Sequence, residues 1–119
     1  MMTGLQYAAV LCASVLLGSL LSHLRTVDAA SNPAKGKTLY EKHCLVCHGP
    51  QGKGDGPAGK ALKPPAADLT SAESKKKSEA DLRQVIEQGK SGTAMGPWKS
   101  QLSQAELGDL MSYVLTFRK

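Results

Sequence analysis

Cys44-Leu45-Val46-Cys47-His48 is the stretch whose reading decides the fold. Its two thiols stand three positions apart and project to neighbouring points on one turn, and an imidazole follows immediately. Upstream, Asn32-Pro33 reads as a helix start, a capping side chain followed by proline at the first helical position. That helix runs to about His43, with Gly36, Leu39 and Tyr40 on one stripe. Downstream, GPQGKGDGPAGKALKPPAADLT spans Gly49 to Thr70, and its glycines and prolines exclude a long helix and mark a loop that wraps around something. Ser78 and Asp81 form a capping box that opens a second helix ending at Gly89, with Leu82, Val85 and Ile86 on its apolar side. Ser103 and Glu106 repeat the device, and Leu107, Leu110, Met111 and Val114 then follow at the spacing of a buried helical stripe. No segment alternates as a strand. The fold class is all-α, about three main helices joined by glycine- and proline-rich loops.

The beginning of the chain has a different composition. Tyr7 to Leu21 carries no charge, and small residues follow at Ala29, Ala30 and Ser31, the pattern of a secretory signal cleaved after Ala29. No Lys or Arg precedes the apolar run, and His23 and Arg25 lie behind it, so an uncleaved N-terminal anchor is the other reading. The run is close to the roughly 17 residues that span a bilayer. Cys12 belongs to this leader, because the bulky Leu11 before it does not suit a lipid-attachment site. The chain therefore divides into residues 1–29, signal or anchor, and residues 30–119, one domain. Residues 1–29 hold one Arg and one Asp, so the remaining 90 residues keep 14 basic and 9 acidic side chains and the same net charge of +5.

A domain of that size buries a modest core, and its aromatics are few: Tyr40, Trp98, Tyr113 and Phe117. With Cys44 and Cys47 its only cysteines, a disulfide framework is excluded and a large cofactor is expected. C-x-x-C-H is the attachment signature of c-type haem: each thiol forms a thioether with one vinyl group, and the histidine coordinates the iron. Cys44 and Cys47 are then the attachment residues and His48 the proximal axial ligand. A redox-active C-x-x-C needs a βαβ setting that is not visible here, and a structural zinc site needs four ligands where His43 is the only further histidine of the domain. The second axial ligand is expected from a loop, and Met95 in GKSGTAMGPWKS meets that need, following the His/Met pattern of cytochromes c. Met1 and Met2 fall in the leader and Met111 on a core stripe, while His43 is the outside candidate.

On these residues the chain resembles the class I cytochromes c, and among them the short bacterial monohaem type. The motifs run in order from GKTLYEKHCLVCHGPQGKGDG through PPAADL and GTAMGPW to LMSYVLTF, covering Ala34 to Phe117. The resemblance implies a small cytochrome c-like fold of about three main helices wrapped around one covalently bound haem c. It also implies that a glycine and an aromatic on the first helix, here Gly36 and Tyr40, cross an aromatic on the last, here Tyr113. In the family a proline carbonyl orients the proximal histidine, a role open here to Pro57, Pro64 or Pro65. The family's more frequent MPPW stands as MGPW.

The expected function is electron transfer in the periplasm, one electron at a time, by a carrier that is monomeric when free. A haem c subunit of a larger oxidoreductase complex is the alternative, and a haem enzyme or gas sensor with an open axial site is the third reading. No nucleophile–base pair, paired carboxylates or phosphate-cradling loop points to an enzyme. Lys75-Lys76-Lys77 with Lys53, Lys60, Lys63 and Lys99 suits acidic redox partners, or is a solvated polar surface. Nucleic acid is excluded as a partner because the charge is modest and aromatics are not interleaved with it.

Overall fold

The computed structural model describes residues 30–119. The leader reading of residues 1–29, with Cys12, lies outside the described residues. The three expected helices are present: α1 (Pro33–His43), α4 (Glu79–Gln88) and α5 (Gln104–Val114), joined by two shorter ones, α2 (Leu45–His48) and α3 (Ala72–Lys76). Single 3₁₀ turns lie at Gly59–Ala61 and Leu115–Arg118. No strand occurs among the described residues, and none of their helices is long and apolar enough to cross a membrane.

The helix starts follow from side-chain capping. Asn32 Oδ1 accepts from the amides of Ala34 at 2.9 Å and Lys35 at 3.2 Å, so two donors orphaned at the start of α1 are satisfied. Complete capping boxes open α4 (Ser78 with Asp81) and α5 (Ser103 with Glu106). The α3 helix has no apolar stripe that periodicity could detect. It is held from outside: Ser71 Oγ accepts from the Ser74 amide at 3.1 Å, and the Arg118 guanidinium donates to the carbonyls of Ser74, at 2.7 Å, and of Lys77.

The core is Tyr40, Leu82, Ile86, Leu102, Leu107, Leu110, Met111 and Val114. Its centre is the crossing of α1 over α5, where a Cβ at Gly36 would stand 1.9 Å from the Asp109 carbonyl oxygen. The Asn32 amide also donates to Asp109 Oδ1 at 2.6 Å. Tyr40 packs on Tyr113 with ring centroids 5.4 Å apart, as the resemblance implied. Phe117 completes the cluster at 5.2 Å from each of these rings, a contribution that the sequence stripe did not include. Tyr40 is fully buried, and its hydroxyl donates to the Gly49 carbonyl at 2.7 Å. Burial pushes its phenol well above the usual range, which keeps it a donor. This bond joins the core to the first residue after the Cys44–His48 turn.

Replacing Gly36 by alanine forces the α1–α5 backbones apart, since the new methyl meets a carbonyl and not a flexible side chain. We expect a loss of about 1–3 kcal/mol, or about 4–8 °C in Tm per kcal/mol, measured by thermal circular dichroism. The two capping boxes set a pH dependence. Bonds from the Ser78 hydroxyl and amide hold the Asp81 carboxyl below its usual range, and bonds from the Ser103 amide and hydroxyl do the same for Glu106. A depressed folded pKa means stability that is present above the unfolded value of about 4 and lost as pH falls through the folded one. Asp81→Asn with Glu106→Gln should therefore flatten the fall of stability below pH ~4. An unchanged acid-unfolding slope contradicts this.

Candidate functional site

The site is built on the end of α1. The Cys44 amide still bonds the Tyr40 carbonyl at 2.8 Å, and Cys44 is both the last cap of α1 and the first of α2. The amides of Cys47 and His48 then return to the Cys44 carbonyl at 3.2 and 2.9 Å, which winds both thiols and the imidazole onto one helical turn. A turn this short leaves its own carbonyls unpaired. The return loop supplies the missing donors: Ala58 to Val46 at 2.9 Å, Gly56 to Cys47 at 3.2 Å and Gly54 to His48 at 2.8 Å. That approach excludes side chains. A Cβ at Gly56 would lie 2.4 Å from the Val46 oxygen, and one at Gly59 would lie 2.0 Å from the Cys47 oxygen.

The same loop orients the histidine. His48 Nδ1 is 3.1 Å from the Ala67 carbonyl oxygen. A carbonyl only accepts, so Nδ1 carries the proton and Nε2 keeps its lone pair for a ligand bond. The partner is thus Ala67, and not Pro57, Pro64 or Pro65. Bonds from Ala66 to the Gly59 carbonyl at 3.0 Å and from Leu69 to the Gly52 carbonyl at 2.7 Å pin the chain on either side of Ala67. This sets the register two residues beyond the proline pair. Burial lowers the His48 pKa and so favours the neutral imidazole that a metal needs, with the Ala67 bond opposing it. Burial, reinforced by Cys47, pushes the Cys44 thiol up to about 11. A free thiol so shifted is a poor thiolate at neutral pH, the opposite of what a redox-active C-x-x-C requires.

Met95 lies half-buried against the core in a loop fastened to the end of α4. Its amide donates to Thr93 Oγ1 at 3.2 Å, and its carbonyl accepts from the Lys90 amide at 2.9 Å. Thr93 Oγ1 in turn donates to the Lys90 carbonyl at 2.7 Å. The amides of Trp98 and Lys99 take up two orphan carbonyls of α4, Ile86 at 3.0 Å and Glu87 at 3.1 Å. Met111 is buried in α5, as its stripe predicted. His43 packs against Trp98 with ring centroids 5.0 Å apart. Thr93 and the Ala67 carbonyl had no signal in the sequence. The cradle of Gly54, Gly56 and Gly59 did, in the glycine spacing of GKGDGPAG.

The donor set fits a covalently attached haem. Two thiols share one turn with a neutral imidazole whose free nitrogen is Nε2, and one thioether sulfur sits on a braced loop. Among the described residues, no three His, Cys, Asp or Glu side chains are grouped so as to hold a bare metal ion.

The family model for cytochrome c matches residues 33–118. Cytochrome c-554(547) of Halothiobacillus neapolitanus is 32% identical over 96 residues, covering 75% of this chain and all of that protein. The cbb3-type cytochrome c oxidase subunit CcoP of Azospirillum brasilense is 33% identical over 90 residues, which are 76% of this chain but only 30% of CcoP. Among solved structures, the KustC0563 c-type cytochrome aligns with a TM-score of 0.61 at 32% identity, covering 71% of this chain and 98% of that one. A chain of the Kuenenia stuttgartiensis reducing HAO-like protein complex Kustc0457/Kustc0458 aligns at 0.65 and 28%, covering 81% of this chain and 47% of that one. The chain belongs to the cytochrome c family. Its cofactor is covalently bound haem c and its function haem-based electron transfer.

Two glycine substitutions separate cradle from loop. Gly59→Ala drives a methyl into the Cys47 carbonyl and should cost about 1–3 kcal/mol, seen as a lower Tm and less haem per protein by absorbance. Gly96→Ala meets no protein atom within 4 Å, and Gly96 does not lie at positive φ, so it should instead raise stability by about 0.4–1 kcal/mol.

Proposed function

We propose that the chain is an exported single-electron carrier whose haem is bound through Cys44 and Cys47 and ligated by His48 and Met95. In this reading residues 1–29 are a cleaved signal or a retained anchor, residues 30–119 are the haem domain, and the site of action is the periplasm. When bound, the haem iron takes up and releases one electron. The chain's own residues fix the conditions for that exchange. His48 offers Nε2 because Ala67 holds the other nitrogen. Met95 offers its sulfur from a loop braced at both its amide and its carbonyl, and this double bracing is the observation that carries the reading. Two protein ligands leave no axial position for a substrate and need little rearrangement between oxidation states, and a thioether ligand favours the reduced one.

A redox protein with an acidic surface suits the loop lysines. Lys53, Lys60, Lys63 and Lys99 are exposed, whereas Lys75 donates to the Lys119 carbonyl at 3.2 Å and Lys76 lies 3.6 Å from Glu73. Part of the triplet is therefore engaged within the chain, and the loop lysines carry more of the steering. Service as the haem subunit of a larger oxidoreductase complex is the second reading, supported by the likeness to CcoP and to the HAO-like complex.

The oxidised protein should show the weak near-infrared methionine–iron band, and Met95→Ala should abolish it. A wild-type protein that lacks the band and binds carbon monoxide readily when reduced would refute the carrier reading.

A further inference from the structure

His43 touches the methionine loop through Trp98. It is the last residue of α1, directly before Cys44, and its imidazole packs at 5.0 Å and 58° on the indole of Trp98. Trp98 is also the residue whose amide fastens the Met95 loop to α4 through Ile86. The Trp98 carbonyl accepts from Gln101 at 2.9 Å and Leu102 at 3.0 Å, which ties the same residue to the buried Leu102 ahead of α5. Trp98 is therefore the fixed point of the loop, and His43 is a contact that links it to the helix leading into the thiol turn. Gly96, between Met95 and Pro97, adds no side chain to that fastening.

We infer that His43 is a positioning residue: its ring braces Trp98 and so holds Met95 at its place in the site. The inference rests on the proposed ligation by Met95. His43 then has a definite task that is not ligation, and the flat face of its ring matters more than its charge. An aromatic contact of this kind contributes about 0.5–1.5 kcal/mol, so its loss should ease displacement of Met95 about two- to tenfold.

The test is imidazole titration of the oxidised holoprotein, with loss of the methionine–iron band as readout. His43→Ala should bind imidazole about two- to tenfold more tightly than wild type, while His43→Phe, which keeps a flat ring, should stay within about twofold of it. Adding Trp98→Leu to His43→Ala should shift the affinity by less than the two single effects together, because both remove one contact. A purely structural role would lower Tm without this rescue by phenylalanine. Should His43→Ala fail to accumulate, His43→Leu keeps the bulk without the aromatic face and must show the same tightening. Wild-type affinity in His43→Ala or His43→Leu, with the band intact in wild type, overturns the role of His43 alone. Absence of the band from wild type removes Met95 ligation and this inference with it.

Discussion

A single turn of helix with no neighbour to complete it cannot keep its carbonyls out of water without partners. The Cys44–His48 turn is such a segment, and nearly every irregular feature of the molecule answers that constraint. Three amides of the return loop close on the carbonyls of Val46, Cys47 and His48, and Tyr40 reaches from the core to close on Gly49. The glycines of that loop are there because a methyl would stand where an oxygen already is. The carbonyl of Ala67 is aimed at the imidazole because the chain is pinned at Ala66 before it and at Leu69 after it. The turn is thus rigid, and the tautomer of His48 is decided by backbone geometry and needs no neighbouring carboxylate.

The methionine loop solves the complementary problem at the other end of a helix. The α4 helix ends with unpaired carbonyls, and the loop is folded against them so that Trp98 and Lys99 supply the donors. Gly89, at a φ of 74°, makes the reversal, and its missing side chain lets Met95 and Gly96 pass close by. Helix termination and the placement of Met95 are one and the same piece of structure.

Much of this was legible in the residues. Asn32-Pro33, Ser78 with Asp81, and Ser103 with Glu106 announce helix starts by local chemistry alone, and the structure uses each of them. Gly36, Tyr40 and Tyr113 meet where the resemblance placed them, and C-x-x-C-H carried the cofactor. What escaped notice was long-range or carried by the main chain. Helix α3 is held by Arg118, more than forty residues away in sequence, and its own five residues have no apolar period. Ala67 acts through a carbonyl that any residue could provide, so its identity carries no signal, and a proline two or three residues earlier was the more visible choice. Phe117 joins the aromatic cluster from a 3₁₀ turn, outside the α-helical spacing that located its neighbours.

The α1–α5 crossing also fixes an order of events. The first helix finds its partner at Asp109 and Tyr113, with the attachment turn lying between the two in sequence. A chain still being made has an α1 whose gripping face is bare, and Cys44 and Cys47 have emerged well before the segment that α1 packs against. Until α5 packs on α1, the crossing that backs the attachment turn is unformed.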